Sequence, residues 1–231
     1  MCGRYATFGP VSISREAKAV LDELKLDIVR EINQRDDQYN IAPTQRALVV
    51  YAGQRRVWAE RMRWGLIPSW AKDDKIGAKT INARVETVAT KPAFRTAFKK
   101  RRCLVPASGY FEWKDVPGNK QPYFIHDPQG ELLMFAGLWD AWKPISDDHH
   151  VRTFSIVTGA PGMVSGDRDD RQPLILPPYL WQLWMVGTPD EAGAALAAAP
   201  EAELVGHPVP ESVGSPRNKG SELVEPIAPS I

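Results

Sequence analysis

The chain has 231 residues, with 29 Lys and Arg against 28 Asp and Glu, for a formal net charge of +1. At 43% hydrophobic and 25% charged it has ordinary globular composition, which excludes global disorder. No stretch approaches the roughly 20 apolar residues of a membrane helix, two cysteines and four scattered histidines make neither a disulfide framework nor a structural zinc site, and the near-zero charge argues against a nucleic-acid partner.

In chain order, Met1-Cys2-Gly3-Arg4-Tyr5 has no apolar core, so no signal peptide is visible and a cytoplasmic location is expected. Ser12 to Leu26 predicts a helix, with Ala17, Val20, Leu21 and Leu24 at helical spacing and Ser12 or Ser14 as cap. Ala47–Ala52 and Val57–Met62 predict two strands around a Gly53-Gln54 turn. Pro92–Lys100 predicts a short helix with Phe94 and Phe98 one turn apart. A run of strands follows: Cys103–Pro106, Tyr110–Lys114, Tyr123–His126, Leu132–Trp139 and Thr153–Thr158, with turns at Val116-Pro117-Gly118-Asn119 and Asp127-Pro128-Gln129-Gly130. Leu174–Leu176 is a further candidate strand. Pro178–Val186 and Asp190–Ala198 predict helices, and the Pro-, Ser- and Gly-rich tail after Pro208 is expected on the surface. Strands in series joined by turns favour antiparallel pairing. The expectation is one α+β domain over 1–231, with a β-rich, largely antiparallel core and peripheral helices.

The charge is unevenly spread. Residues 61–120 hold 14 basic and 5 acidic residues, net +9, whereas residues 121–231 hold 6 basic and 15 acidic, net −9. Lys91 to Arg102 carries six cations and no acid, and Trp64 and Trp70 stand among Arg61, Arg63, Lys72 and Lys75. Cations interleaved with aromatics suit single-stranded nucleic acid, where phosphates meet Lys and Arg and bases stack on rings. A solvated helix face accounts for the basic run equally simply.

Three features can carry chemistry. Cys2 is one: removal of Met1 leaves an α-amine beside a thiol. The amine, which ordinarily titrates at about 7.7–8.0, forms a Schiff base with an aldehyde. The thiol then closes on the imine carbon to give a five-membered thiazolidine. Read alone, position 2 is also simply a small residue that favours Met removal. The second is Glu112. Strand alternation puts it with Tyr110 and Lys114, and Phe111 and Trp113 on the other face. Desolvation there would suit it to acid/base work; an exposed carboxylate paired with Lys114 is the plain alternative. The third is Asn82 and Arg84, an amide and a bidentate phosphate ligand, or a turn residue and a surface ion pair.

These pieces together resemble the SOS response-associated peptidase (SRAP) family. The match runs through Met1–Tyr5, Tyr39-Asn40-Ile41-Ala42-Pro43, Trp64–Trp70, Ile81–Thr87, Arg102–Pro106 with Gly109–Trp113, Ala136–Trp139 and Val157-Thr158. The resemblance implies covalent cross-linking to abasic sites in single-stranded DNA, with no cofactor, no metal, no membrane and a monomeric chain working in the cytoplasm on the nucleoid. It implies Cys2 as nucleophile, Asn82 positioning the amine or the sugar, and Glu112 as acid/base. Arg4, Pro43, Trp70, Arg84, Thr158 and Arg171 would bind the DNA, and the N-terminus would lie buried at the groove.

One departure stands out. Where the family has His-Asp-Arg-Met-Pro, this chain has Asp169-Asp170-Arg171-Gln172-Pro173. Asp169, at the His position, is a poor proton donor near pH 7 unless buried, and His207 is a distant substitute. Other classes remain: an N-terminal-Cys amidohydrolase, since glutamine amidotransferases also begin Met-Cys-Gly; a non-covalent single-strand binder; and a peptidase acting on other proteins.

Overall fold

A computed structural model describes residues 2–34, 36–53, 56–144, 149–164 and 171–228. The elements are β1 (Tyr5–Thr7), α1 (Arg15–Glu23), α2 (Ile28–Asn33), β2 (Gln38–Ile41), β3 (Arg46–Ala52), β4 (Val57–Trp64), β5 (Asn82–Arg84), α3 (Arg95–Lys100), β6 (Arg102–Ala107), β7 (Gly109–Val116), β8 (Asn119–His126), β9 (Leu133–Trp142), β10 (Val151–Gly159), β11 (Gln172–Pro173), α4 (Pro178–Val186), α5 (Pro189–Ala198) and β12 (Val205–Pro208). Short 3₁₀ turns cover Lys75–Lys79, Glu211–Gly214 and Ser221–Val224. The fold is α+β, as the patterning predicted.

The strands form two sheets. One runs β12-β8-β7-β1-β2. The other runs β11-β10-β4-β3-β6-β9, and β10 also pairs with β9, so β10, β4, β3, β6 and β9 close on themselves as a small barrel. Pairing is antiparallel except along β10, whose first half lies parallel to β4 and whose second half lies parallel to β5.

Alternation divides the molecule into layers. On β3, Ala47, Val49 and Tyr51 face the barrel interior with Cys103, Val105, Phe135 and Phe154. Leu48 and Val50 face outward, under α1, α3, α4 and α5 with Leu21, Phe98, Leu180 and Trp184. The five-stranded sheet lays Tyr5, Tyr110 and Ile125 on the barrel side and turns Ala6, Phe111 and Phe124 away from it. Ser14 caps α1, accepting from Ala17 N, and Thr188 with Glu191 makes a capping box on α5.

Four expectations need correction or refinement. The tail after Pro208 runs over the surface but is pinned to it: Val209, Val213 and Leu223 are fully buried on Ala6, Phe111 and Phe124. Leu174–Leu176 adds only an isolated bridge, Phe135 with Ile175, after the short β11. Trp64 is core, fully buried with its indole N–H donated to Ile81 O, so it offers no face to a base. Arg102 is buried too, its guanidinium spread over the carbonyls of Phe98, Trp184 and Gly187 at the ends of α3 and α4. A cation on C-terminal carbonyls satisfies orphan acceptors and is unavailable to a phosphate. Helix α2, capped by Asp27, has no counterpart among the expected elements.

Candidate active site and nucleic-acid face

The stretch before β1 lies along β7. Tyr5 pairs with Tyr110, Ala6 with Gly109, and Phe111 N donates to Arg4 O at 3.0 Å. Continuing that register brings Glu112 beside residues 2 and 3. Cys2 is fully buried between the five-stranded sheet and the barrel, and its thiol lies 3.7 Å from Arg4 O. From the barrel side, Asn82 at the start of β5 donates Nδ2 to Cys2 O at 2.8 Å. Its Oδ1 is buried with no hydrogen-bond partner among the described residues. Cys2, Glu112 and Asn82 are 30 to 110 residues apart in sequence and meet because two sheets meet.

The electrostatics follow from that burial. Desolvation pushes the Cys2 thiol well above its ordinary value, and the Glu112 charge pushes it further the same way. Tyr5 is likewise raised by burial and then by the two cysteines. At neutral pH the thiol is therefore held as S–H. Glu112 is only 2% exposed, so it is not the solvated strand carboxylate of the plain reading. The buried Cys2 thiol thus suits a nucleophile whose first step does not need a thiolate.

Around it the other predicted residues separate into two groups. Arg4 is half-buried, its guanidinium donating to Gly3 O and Gly214 O, and burial lowers its pKa. Trp70 is 59% exposed, its ring at the surface. Arg84, two residues beyond Asn82, is exposed and lines a shallow hollow of about 470 Å³ with Thr87, Thr90 and Lys91. Pro43 is half-buried and precedes Thr44, which holds a left-handed φ of 74°. A β-branched residue there stores strain, and the bonds Thr44 N to Trp64 O and Trp64 N to Gln45 O hold it in place.

Thr158 and Arg171 face the protein. Thr158 is fully buried and accepts from Arg171 Nε at 3.1 Å, while Arg171 Nη2 grips both Glu86 oxygens, at 3.1 and 2.9 Å. Although desolvation raises it, Glu86 is held below the usual carboxylate range by its own backbone amide, Arg171 and Arg84. Arg171 thus ties the β5 corner to β10 and β11 with its charge compensated. Asp169 and Met1 lie outside the described residues. His207 cannot stand in for a catalytic His here: it sits with His126 (ring nitrogens 3.3 Å apart), Phe124 and Val224 O on the face turned away from Cys2.

Sequence reasoning missed Asn40 and Lys219. Asn40 is fully buried, and its Nδ2 lies within bonding distance of the carbonyls of Val213, Ser215 and Asn218. Lys219 Nζ donates to Asn40 O at 2.6 Å and Gln45 Oε1 at 2.8 Å. The spacing of Val209, Val213 and Leu223 was the available sign that the tail packs. Among the described residues no group of His, Cys, Asp and Glu is placed to hold a metal ion, and no helix is long and apolar enough to cross a membrane.

Known proteins share the family and the fold. Residues 1–216 match the profile of the SOS response associated peptidase (SRAP) family. The abasic site processing protein YoqW of Bacillus subtilis is 33% identical, covering 97% of this chain and 99% of its own. The abasic site processing protein YedK of Escherichia coli is 32% identical over 98% of this chain and all of its own. A solved protein of Bacteroides thetaiotaomicron, 24% identical, superposes with a TM-score of 0.78 over 98% of this chain and all of its own, and shares the fold.

Proposed function

The chain belongs to the SOS response-associated peptidase family, and from that premise we propose that it processes abasic sites in single-stranded DNA through a covalent bond to Cys2. The observation that carries the reading is the buried Cys2 thiol, with Glu112 acting on it and Asn82 bonded to its carbonyl. Two relatives named as abasic site processing proteins support the substrate.

Hydrolysis of the Met1–Cys2 peptide bond frees the α-amine. The abasic deoxyribose opens to its aldehyde, with Glu112 moving the proton between the ring oxygen and the C1′ hydroxyl. The neutral amine adds to the aldehyde carbon, and the carbinolamine loses one water to give the imine. The Cys2 sulfur then adds to the imine carbon and its proton ends on the nitrogen, closing the thiazolidine. Atoms balance with loss of one water. A thiol kept protonated suits this order, because the amine attacks first and the S–H supplies the proton the ring nitrogen needs. Asn82 Oδ1 is the acceptor that orients the amine or a sugar hydroxyl. Arg4 and Arg84 take phosphates, Trp70 stacks a base and Pro43 shapes the wall. Thr158 and Arg171 act through that wall, fixing the strand that carries Asn82 and Arg84.

A denaturing gel tests this. The chain, shown by mass spectrometry to have lost Met1, is mixed with single-stranded DNA bearing one abasic site. A shifted band is expected, and its absence overturns the proposal. With Asp169 at the family's His position, cross-linking is proposed to run through Cys2 and Glu112 with an altered rate, pH profile or reversal. Asp169→His is expected to move the pH profile of cross-linking; superimposable profiles would contradict that.

A further inference from the structure

The tail forms a strap across the outer face of the five-stranded sheet. It leaves β12 with Val209 N bonded to Pro122 O, crosses to the β2 edge, where Asn40 gathers three of its carbonyls, and returns to bond Val224 O to His207 and Ile227 N to Pro208 O. At its far point it meets the Cys2 end of the molecule twice. Gly214 O accepts from Arg4 Nη2, and Lys219 Nζ reaches the loop carrying Pro43, bridging Asn40 O and Gln45 Oε1.

The charge at that meeting point is unbalanced. Other cations have carboxylates: Arg63 has Asp74, Arg101 has Asp140 and Arg171 has Glu86. Arg4 and Lys219 are held only by neutral oxygens, and neither has a carboxylate partner among the described residues. They are close enough to interact: burial first, and then the charge on Arg4, lower the Lys219 ammonium. Arg4 Nη1 and Nη2 each carry a second N–H beyond the one given to a carbonyl, and an ammonium has three donors, of which Lys219 uses two. Two adjacent cations with spare donors and no counter-charge describe a seat for an anion.

We infer that Lys219, delivered by the strap to the Arg4 side of the cleft, contacts a phosphodiester of the bound DNA strand, so that Arg4 and Lys219 form one two-cation phosphate site. This rests on the reading that the cleft takes single-stranded DNA. The alternative is a clamp on the Pro43 loop and nothing more. The two differ in counterion release: each phosphate contact contributes about −0.7 to the slope of log affinity against log salt on single strands.

The test uses the full chain and an unmodified single-stranded oligonucleotide, so that no cross-link forms, with binding followed by fluorescence anisotropy over a salt series. Lys219→Met is expected to weaken binding several-fold at low salt and to make the slope shallower by about 0.7. Lys219→Arg is expected to keep the slope. Lys219→Gln, which retains a donor for Asn40 O but no charge, is expected to behave as Lys219→Met and serves if that variant fails to fold. An unchanged slope in a charge-neutral variant, with a lowered melting temperature, would overturn the inference in favour of the clamp. Absence of any binding by the parent chain would instead overturn the reading of the cleft, and this inference with it.

Discussion

Cys2 and Cys103 are the same residue in the same condition: both free, both fully buried, both with thiols pushed up by desolvation. What differs is the company. Cys103 is the second residue of β6, opposite Tyr51 and Gly137 on the neighbouring strands and packed among the barrel's apolar side chains. Cys2 lies at the edge of that same cluster, with the Glu112 charge acting on its thiol and the Asn82 amide on its carbonyl. Burial by itself makes an inert thiol. The surrounding polar groups and the position at the chain's start make one of the two a candidate nucleophile.

The largest expected effect separates the two thiols. Cys2→Ala abolishes the denaturant-resistant adduct with abasic single-stranded DNA and leaves the fold intact. Cys103→Ala keeps the adduct and costs on the order of 1 kcal/mol of stability, the loss of a buried methylene-sized group and its small cavity. Denaturing gels and urea melts on the pair decide it; an adduct lost in Cys103→Ala with the fold intact would erase the contrast.

Glu112→Gln comes next. Losing the acid/base is expected to slow cross-linking by about 10²–10⁴-fold. The same change removes the charge that raises the Cys2 thiol, so alkylation of Cys2 at a fixed alkaline pH should speed up while that of Cys103 stays constant. Opposite signs for the two readouts in one variant distinguish a proton-moving role from general damage.

A smaller effect is expected of Asn82→Ala. It removes one hydrogen bond to Cys2 O, worth about 1 kcal/mol, so the adduct should form about five- to tenfold more slowly. Peptide-mapped alkylation of Cys103 should not change.

The smallest effect is shared by both thiols. In the folded chain both titrate above the ordinary thiol value of 9.0. Between the unfolded and folded values the folded state holds protons that the unfolded state has released. The stability is therefore fully present below about pH 9 and lost as pH rises above it. Melting temperature against pH should fall above about pH 9, and less steeply in Cys103→Ala; parallel curves would show that the raised thiol contributes nothing.

Much of this layering was legible in the sequence because alternation is local. The strands from Cys103 to Thr158 and the helices at 178–186 and 190–198 follow from spacing and turn residues alone. The site was not legible that way. Glu112 lies 110 residues from Cys2, and only family resemblance brought them together before the fold did. Charge was the least reliable guide: the basic run ends in Arg102, which serves helix carbonyls, and Trp64 faces the barrel interior. Lys219 stands in the net-acidic part of the chain and reaches the loop carrying Pro43 only because three buried apolar residues pin the tail across a sheet. A side chain's partners are set by tertiary contacts that composition does not encode.

Intact-mass analysis of the purified adduct distinguishes a thiazolidine at Cys2 from every other linkage. Protein lacking Met1 is incubated with abasic single-stranded DNA, and half of the sample is treated with borohydride. A thiazolidine at Cys2 predicts the summed masses less one water, unchanged by borohydride, with the mass shift mapped to the N-terminal peptide. An adduct that gains two hydrogens on reduction, or that maps to a lysine, would contradict it.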